Sequence, residues 1–327
     1  TPTIRLLGAE WYRKSGRFDS PAVLALRFNQ PVRAADVLAH ATVRYTPHSW
    51  IRPTLSAPAR ERLASLDREG LARFDAKVER VAAVVNSRAA GGMTNAATWD
   101  EKRFPPAPNV AVIETAGAPA TDGWLTVAID ARMPSAGGGA EAGMPQTSVV
   151  RLEPTFFVSD VRCPEGCTPG ASAIQFRRPV ALESARLAMR ADLDTAGGLS
   201  RVTRVEPVAP GYENPNGELY FGFPTLGYPN QPPATDWVVR VDATLASVDG
   251  QVLGYPWLEV VHNLHAQPYA EWIGSVWEAG NGGSVPVFTR NVNGLYTWTS
   301  PIAGADLLPR LIRLRQPSTS LSPEVPV

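Results

Sequence analysis

The sequence predicts an all-β, or mainly β, protein made of two β-sandwiches in tandem. Three observations support this prediction. Apolar and polar residues alternate over many short stretches, 31 prolines and 27 glycines are spread along the chain between them, and two pairs of stretches resemble one another. Alternation with a period of two places one face of a strand on a core, and Pro and Gly mark the turns between strands.

The first pair of similar stretches is "LRFNQPV" at residues 26–32 and "IQFRRPV" at residues 174–180. In each, apolar residues alternate up to Phe28 or Phe176, which predicts a strand with one buried and one solvent-facing side. Because Pro cannot donate a ladder hydrogen bond, Pro31 and Pro179 are expected to end their strands or to lie at an edge.

The second pair is "DGWLTVAIDARMPSAGGGAEAG" (122–143) and "TDWVVRVDATLASVDGQVLGYP" (235–256). Each predicts a strand, a Gly-containing turn and a final strand, with Trp124 and Trp237 at equivalent, core-packed positions. We interpret the two pairs as an internal duplication. The predicted domains are therefore residues 1–154, residues 155–266, and a tail or incomplete third domain over residues 267–327.

One long helix is predicted, over about residues 57–90 of the first domain. Apolar residues recur there at helical spacing with charged residues between them. Ser56 is expected to cap its start, and Gly91-Gly92 to end it. We interpret the segment as an amphipathic helix that covers the side of a β domain, with a partner-binding helix as the alternative.

Composition excludes several classes of protein. The formal net charge is zero, with 31 basic and 31 acidic residues, which argues against a nucleic-acid partner. No apolar run is long enough to span a membrane, and the first residues lack the apolar stretch of a signal peptide. If the protein is exported, its signal peptide is absent from this chain.

The two cysteines, Cys163 and Cys167, flank a Pro-Glu-Gly turn. In an oxidising compartment they could form a short-loop disulfide, worth about 2 kcal/mol in the loop-entropy model. Half of a four-cysteine zinc site is the alternative, although the chain has no second pair. The pair favours the periplasm or the cell surface.

No catalytic, cofactor or metal motif is found. The glycine-rich stretch at 136–143 lies between two predicted strands, where a hairpin loop is expected and a phosphate-binding loop is not, since no helix follows. His262 and His265 are three residues apart in an extended run, so their side chains would point to opposite faces. The nine tryptophans would be core anchors or, if exposed, a surface for sugar or protein.

The stretch "GSVWEAGNGGSVPVFTRNVNGLYTW" in the tail resembles a segment near the N-terminus of bacterial alpha-2-macroglobulin-like proteins. There, Val-Trp-Glu, a Gly-rich turn and Pro-aromatic-Arg-Asn-Val introduce the next domain. The matching residues are Val276, Trp277, Glu278, Pro286, Phe288, Arg290, Asn291 and Val292. The Phe-x-x-Pro-Val strands are also similar to the Ig-like units of that region.

The resemblance implies Ig-like or macroglobulin-type β-sandwiches of a large envelope protein that traps proteases. Many members of that family carry a thioester in a Cys-x-Glu-Gln motif, which this chain lacks, and no bait segment is recognisable. We therefore expect a non-catalytic structural and docking segment without cofactors. Its expected partners are other domains of the same longer chain, and proteases or envelope proteins. A surface adhesin or carbohydrate-binding module is the alternative, and an enzyme with a dispersed site ranks last.

Overall fold

The computed structural model describes residues 3–87, 90–161, 173–195, 198–200, 218–219, 226–227, 234–264, 268–272, 287–296 and 301–314. The chain forms two compact units, Thr1–His265 and Ala266–Val327. The fold is mainly β, as the sequence predicts, with several antiparallel sheets and few helices. Among the described residues, no helix is both long and apolar enough to span a membrane.

The first half of the larger unit contains two four-stranded antiparallel sheets, in the orders β1-β2-β6-β5 and β4-β3-β7-β8. A shared core lies between them and includes Leu24, Phe28, Val43 and Val127. In chain order the elements are β1 (Leu6–Arg13), β2 (Ala22–Phe28), α1 (Ala34–His40), β3 (Ala41–Thr46), α2 (Ala57–Leu66), α3 (Arg68–Val85), β4 (Ala90–Gly91), β5 (Met93–Asn95), β6 (Val110–Thr115), β7 (Trp124–Ile129) and β8 (Gln146–Arg151).

Strand β2 is buried on both faces, although its alternation predicted one solvent-facing side. Leu24 and Leu26 point into the core between the sheets. Val23 and Ala25, on the opposite face, are covered by a second cluster that includes Phe104. The segment before β6 supplies this cover, and the continuous apolar run at residues 22–26 is the local pattern that is consistent with it.

The second half repeats this architecture in smaller form, with sheets in the orders β15-β10-β9 and β13-β12-β16-β17 and a short β11-β14 pair. Its core includes Phe176, Met189, Trp237 and Trp257. Its elements are β9 (Val158–Val161), β10 (Ala173–Phe176), β11 (Val180–Ala181), α4 (Leu182–Ala188), β12 (Met189–Thr195), β13 (Gly198–Ser200), β14 (Glu218–Leu219), β15 (Leu226–Gly227), β16 (Asp236–Val241) and β17 (Trp257–His262).

The predicted duplication is present in the strand pairing. Strands β3, β7 and β8 have the same order as β12, β16 and β17, and in each half a seven-residue helix leads directly into the first of the three. The two Pro-Val motifs also make the same bond. The Pro31 carbonyl accepts the Ala136 N–H at 2.9 Å, and the Pro179 carbonyl accepts the Val248 N–H at 3.0 Å. Strands β2 and β10 end before these prolines, as predicted.

The equivalence predicted for Trp124 and Trp237 is wrong by one residue. Trp124 begins β7 opposite Thr46, whereas in the second half the residue in that position is Asp236, opposite Asp194. A shift of one residue moves a side chain to the other face of a strand. Trp237 therefore lies in the core, while Trp124 lies on the outer face and stacks on the His48 ring at 4.7 Å between centroids.

The predicted long helix consists of two helices, α2 and α3, which meet at Asp67. The Ser56 side chain accepts the Ala59 N–H and caps α2, as predicted, and the Asp67 side chain accepts the Gly70 N–H and caps α3. Because Asp67 has non-helical backbone angles, a single continuous helix is excluded. The predicted end at Gly91-Gly92 is also wrong, since α3 ends at Val85 and Ala90–Gly91 forms β4.

Both helices pack on the second half, although they are inserted in the first. Residues of α3, among them Phe74 and Val78, belong to the same core as Phe157 and Tyr255. The Phe74 ring meets the Tyr255 ring edge-on at 5.0 Å between centroids. On α2, Ala59 and Leu63 pack against Val238 and Leu258, on the outer face of β16 and β17. The predicted division near residue 154 remains a prediction, because the hairpin of α2 and α3 is shared between the halves.

The smaller unit contains β18 (Tyr269–Trp272), β19 (Val287–Arg290) and α5 (Gly304–Leu314). Strands β18 and β19 pair antiparallel. On α5, Leu307, Leu308 and Ile312 are exposed.

We expect Phe74→Ala to lower the free energy of unfolding by about 3–5 kcal/mol, because it opens a cavity in the core of the second half. Hydrogen exchange should increase in residues 236–241 more than in residues 124–129. The control is Leu66→Ala on α2, where Leu66 is 48% exposed and a loss of about 1 kcal/mol or less is expected. Faster exchange confined to residues 124–129 would show that α3 serves the first half instead.

Candidate functional site: the junction between the halves

Four chain segments meet where the two halves join, and we call this region the junction. They are the turn after β1 (residues 14–20), helix α3, the linker between β8 and β9 (residues 152–157), and the loop between β16 and β17 (residues 242–256). Lys77 of α3 donates to carbonyls of the linker and of the loop, and the Phe18 N–H of the turn donates to the Asp249 carbonyl of the loop. Several of the buried charged side chains lie in or beside the junction, namely Arg13, Asp122, Glu153 and Asp249.

Lys77 of α3 reaches into the junction and binds backbone oxygens of the second half. Its Nζ donates to the carbonyls of Phe156 at 2.7 Å, Leu253 at 2.8 Å and Val252 at 3.1 Å. It also lies 4.9 Å from the Phe157 ring centroid and 5.5 Å from that of Tyr255. The three carbonyls and the two ring faces favour the ammonium form.

Burial opposes that preference. Desolvation, together with the nearby charges of Arg80 and Arg177, lowers the pKa of Lys77 to about 7. No carboxylate contributes to the balance, so the charge of Lys77 is stabilised only by dipoles and aromatic rings. Lys77 is one of only three lysines in the chain.

The loop between β16 and β17 is held by Asp249 and Gln251. The Asp249 carboxylate accepts from Gln251 Nε2 at 3.0 Å and from Arg178 Nη2 at 2.8 Å, and its backbone oxygen accepts the Phe18 N–H at 3.1 Å. The Gln251 amide oxygen accepts the Phe156 N–H at 2.8 Å. One loop of the second half thus bonds to the first half and to the linker.

A buried ion pair joins β1 to the start of the linker. Arg13 donates to Glu153 Oε1 through Nε at 2.8 Å and through Nη2 at 2.6 Å, and it also donates to the Ser20 and Pro119 carbonyls. The two side chains are 5% and 6% exposed. Such a pair holds β1 and the linker in one relative position, because separating the two side chains would leave an uncompensated buried charge.

Asp122 forms a second buried pair across the junction. It is one of the described non-glycine residues with a positive φ, 55°, a conformation that Asp tolerates better than most residues. Its Oδ1 accepts from Arg177 Nη2 at 2.8 Å and its Oδ2 accepts the Thr155 N–H at 2.8 Å. The Asp122 backbone oxygen lies 2.8 Å from His48 Nε2.

A cleft of about 260 Å³ opens beside Lys77 in the junction. Its wall includes Arg80 of α3, Thr121 before β7, Thr155 of the linker and Gln251 of the hairpin loop. Phe18, Val81 and Val84 contribute apolar surface. All four segments of the junction meet at this cleft.

Most of the site residues predicted from the sequence lie outside the described residues. This applies to the proposed disulfide of Cys163 and Cys167, and to Val276, Trp277, Glu278 and Pro286 of the tail motif. Arg290 ends β19, and Asn291 follows with a φ of 53°. His262 ends β17 with its Nδ1 against Asp236 Oδ1, while His265 is outside the described part.

The structure describes the side chains of six of the nine tryptophans, and none of these six is exposed. Trp11, Trp99 and Trp237 donate their indole N–H groups to protein acceptors. These six tryptophans therefore act as packing anchors.

Sequence reasoning missed the junction, although one difference between the repeats marks it. The first motif has Asn29-Gln30 where the second has Arg177-Arg178. Asn29 bonds to the backbone of Thr3 and Arg5, just before β1 of its own half, whereas the two arginines bind Asp122 and Asp249. Within the described ranges, no group of three or more His, Cys, Asp or Glu side chains could hold a metal ion.

We expect the stability provided by the Lys77 environment to depend on pH. The folded pKa of about 7 lies below the ordinary 10.5, so between these values the unfolded chain binds more protons and the free energy of unfolding rises with pH. Relative to Lys77→Met, wild-type stability should rise between pH 7 and about pH 10, by an amount on the order of a few kcal/mol, and the difference should be flat below pH 7.

Urea unfolding of both proteins at several pH values measures this difference. Lys102→Met, at an exposed position, controls for the loss of one lysine. A difference that falls with rising pH would show that the carbonyls and rings outweigh burial.

We expect Arg13→Met to destabilise the chain by about 3–5 kcal/mol, since Glu153 would remain buried without a cation. The double variant Arg13→Met/Glu153→Leu should recover a large part of that loss. Chemical denaturation of the two single variants and the double variant measures the coupling. Equal stability of the double variant and Arg13→Met would contradict the importance of the pairing itself.

Comparisons with known proteins do not assign the chain to a family. No protein-family model matches it, and no curated protein matches it. Among solved structures, it is similar to a crystal structure of native alpha-2-macroglobulin from Escherichia coli that spans domains MG0-NIE-MG1. The identity is 9%, the match covers 88% of this chain and 78% of that chain, and the TM-score is 0.25. This likeness is too distant to show a family.

Proposed function

We propose that this chain is a non-catalytic structural and docking segment of a bacterial alpha-2-macroglobulin-like, protease-trapping protein of the cell envelope. The tail motif that ends in Arg290 and Asn291 supports the family, together with the two Phe-x-x-Pro-Val strands. The tandem β-sandwich architecture is consistent with it. The partners would be other domains of the same longer chain, and proteases or envelope proteins.

The scaffold role is supported by the ion pairs in and beside the junction. Arg13 with Glu153, Arg177 with Asp122, and Arg178 with Asp249 are each joined within 2.6–2.8 Å. Catalytic acids and bases need a free proton position and access to a substrate, whereas each of these carboxylates is held by an arginine. Arg177–Asp122 links the second half to the first, Arg13–Glu153 fixes β1 to the linker, and Arg178–Asp249 holds the loop of the second half that contacts Phe18. Such pairing suits a spacer that keeps two β-sandwiches at a constant angle.

An exported location follows from the same proposal. Cys163 and Cys167 could close a disulfide only where thiols are oxidised, which favours the periplasm or the cell surface. No residue of a thioester or bait region is assigned to this chain.

The alternative function is a surface adhesin or carbohydrate-binding module. It requires exposed aromatic rings, and the six described tryptophans are buried or half-buried. The alternative therefore depends on Trp272, Trp277 and Trp298, about whose side chains the structure gives no description. An enzyme with a dispersed site ranks below both.

The parent reading frame provides the direct test. We expect sequence downstream of Val327 to encode further β-sandwich domains and a protease-sensitive segment, and the protein to be recovered in the envelope fraction. Cleavage of the full-length protein by a general protease should leave the protease physically retained. A frame that stops at Val327, or a cytoplasmic protein, would contradict the proposal.

A chain-level test distinguishes the alternative. Binding of this chain to immobilised polysaccharides, lost on substitution of Trp272 or Trp298 by Ala and retained with Trp99→Ala, would favour the adhesin or carbohydrate-binding module. The scaffold proposal expects no such binding.

A further inference from the structure

Four carboxylates in or beside the junction are each paired with an arginine. Asp19 pairs with Arg17, Asp122 with Arg177, Glu153 with Arg13 and Asp249 with Arg178. After this pairing, two cations of α3 remain at the cleft wall, Lys77 and Arg80. Among the residues that line the cleft there is no Asp or Glu.

Lys77 and Arg80 would contribute differently to a bound ligand. Lys77 donates to three carbonyl oxygens, so it contributes positive charge and has no hydrogen left to donate. Arg80 is exposed, and no described carboxylate lies within ion-pair distance of it. Its guanidinium can therefore donate two hydrogen bonds to an oxyanion in the bidentate manner typical of arginine.

A further donor comes from two threonines. Thr121 Oγ1 and Thr155 Oγ1 are 2.6 Å apart, and one of the two hydroxyl hydrogens lies between them. The other hydrogen remains available, since each hydroxyl carries one donor and can accept as well. Gln251 cannot provide another, because its amide nitrogen already donates to the Pro154 carbonyl and to Asp249.

We propose that the cleft binds a small oxyanion, a carboxylate or phosphate group, on Arg80 and the Thr121–Thr155 hydroxyl pair in the field of Lys77. At about 260 Å³, the cleft holds a single acidic group with a short carbon chain. Phe18, Val81 and Val84 would contact the apolar part of such a ligand. The site is independent of the proposed scaffold function.

Occupation of the site would also change the protonation of Lys77. An anion in the cleft favours the charged form of a nearby amine. Asp249 already pairs with Arg178 and Asp122 with Arg177, so Lys77 and Arg80 are the described cations at the cleft without a carboxylate partner. Ligand binding just above neutral pH is therefore expected to be accompanied by proton uptake.

The test is isothermal titration calorimetry of the whole chain with sodium phosphate and, separately, sodium succinate, with ionic strength held constant by sodium chloride. We expect binding of at least one of the two anions. Arg80→Gln should weaken it by about tenfold or more, as expected for loss of charge-assisted hydrogen bonds. The matched control, Arg68→Gln, changes an exposed arginine near the start of the same helix and should retain wild-type affinity.

Two further measurements separate a specific site from general charge effects. Titrations with succinate, which does not itself titrate near pH 7.5, in buffers of different ionisation enthalpy should show proton uptake in the wild type and none in Lys77→Met. If Lys77→Met does not fold, the comparison of Arg80→Gln with Arg68→Gln still decides. Binding of succinate alone identifies a carboxylate site, and binding of phosphate alone identifies a phosphate site.

Failure of both anions to bind would overturn the proposal, and so would equal weakening by Arg80→Gln and Arg68→Gln. Neither result would affect the scaffold function, which is tested by the downstream reading frame and the cellular location.

Discussion

The contact of Lys77 with three backbone carbonyls is the interaction on which the arrangement of the two halves depends. The lysine belongs to a helix inserted in the first half, and its acceptors are in the linker and in the last hairpin of the second half. An ammonium group suits this position because it is compact and directs three hydrogens to separate acceptors, whereas a planar guanidinium would not fit the same three oxygens. The rings of Phe157 and Tyr255 lie 4.9 Å and 5.5 Å from its Nζ.

Duplication and asymmetry together explain why the first 265 residues form one compact unit. The two halves share strand order and even the bond made by the Pro-Val carbonyl, but equivalent loop positions differ. The loop of the second half has Asp249, which binds Arg178 and supports docking on the first half. The corresponding residue of the first half is Gly137, next to which a side chain would meet no neighbouring atom. The loop of the second half therefore contacts the first half, whereas Gly137 in the loop of the first half has no side chain with which to make such a contact.

The helical insertion is also asymmetric, since it is connected to the first half but packs on the second. Its apolar residues complete the core of the second half, and Ser56 links its first cap to Glu259 of β17 through a 2.6 Å hydrogen bond. Burial raises the pKa of Glu259 above its ordinary value, while the hydrogen bond donated by Ser56 opposes that rise. The hairpin of α2 and α3 is covalently connected to the first half and packs on the second, so it links the two. The cleft lined by Lys77 and Arg80 lies where this hairpin meets both halves.

The sequence by itself determined the β class, the duplication, the approximate strands and the Ser56 cap, because these features depend on local periodicity and on residues with strong backbone preferences. It did not determine that Trp124 and Trp237 lie at non-equivalent positions. The two stretches can be aligned with a shift of one residue and still look similar, although such a shift moves a side chain to the other face of the strand. It also predicted one helix where Asp67 separates two. Which half the helices serve, which arginine pairs with which carboxylate, and how Lys77 is bonded were decided only by tertiary structure. These contacts join residues far apart in the chain, and a single sequence contains no signal that specifies such partners.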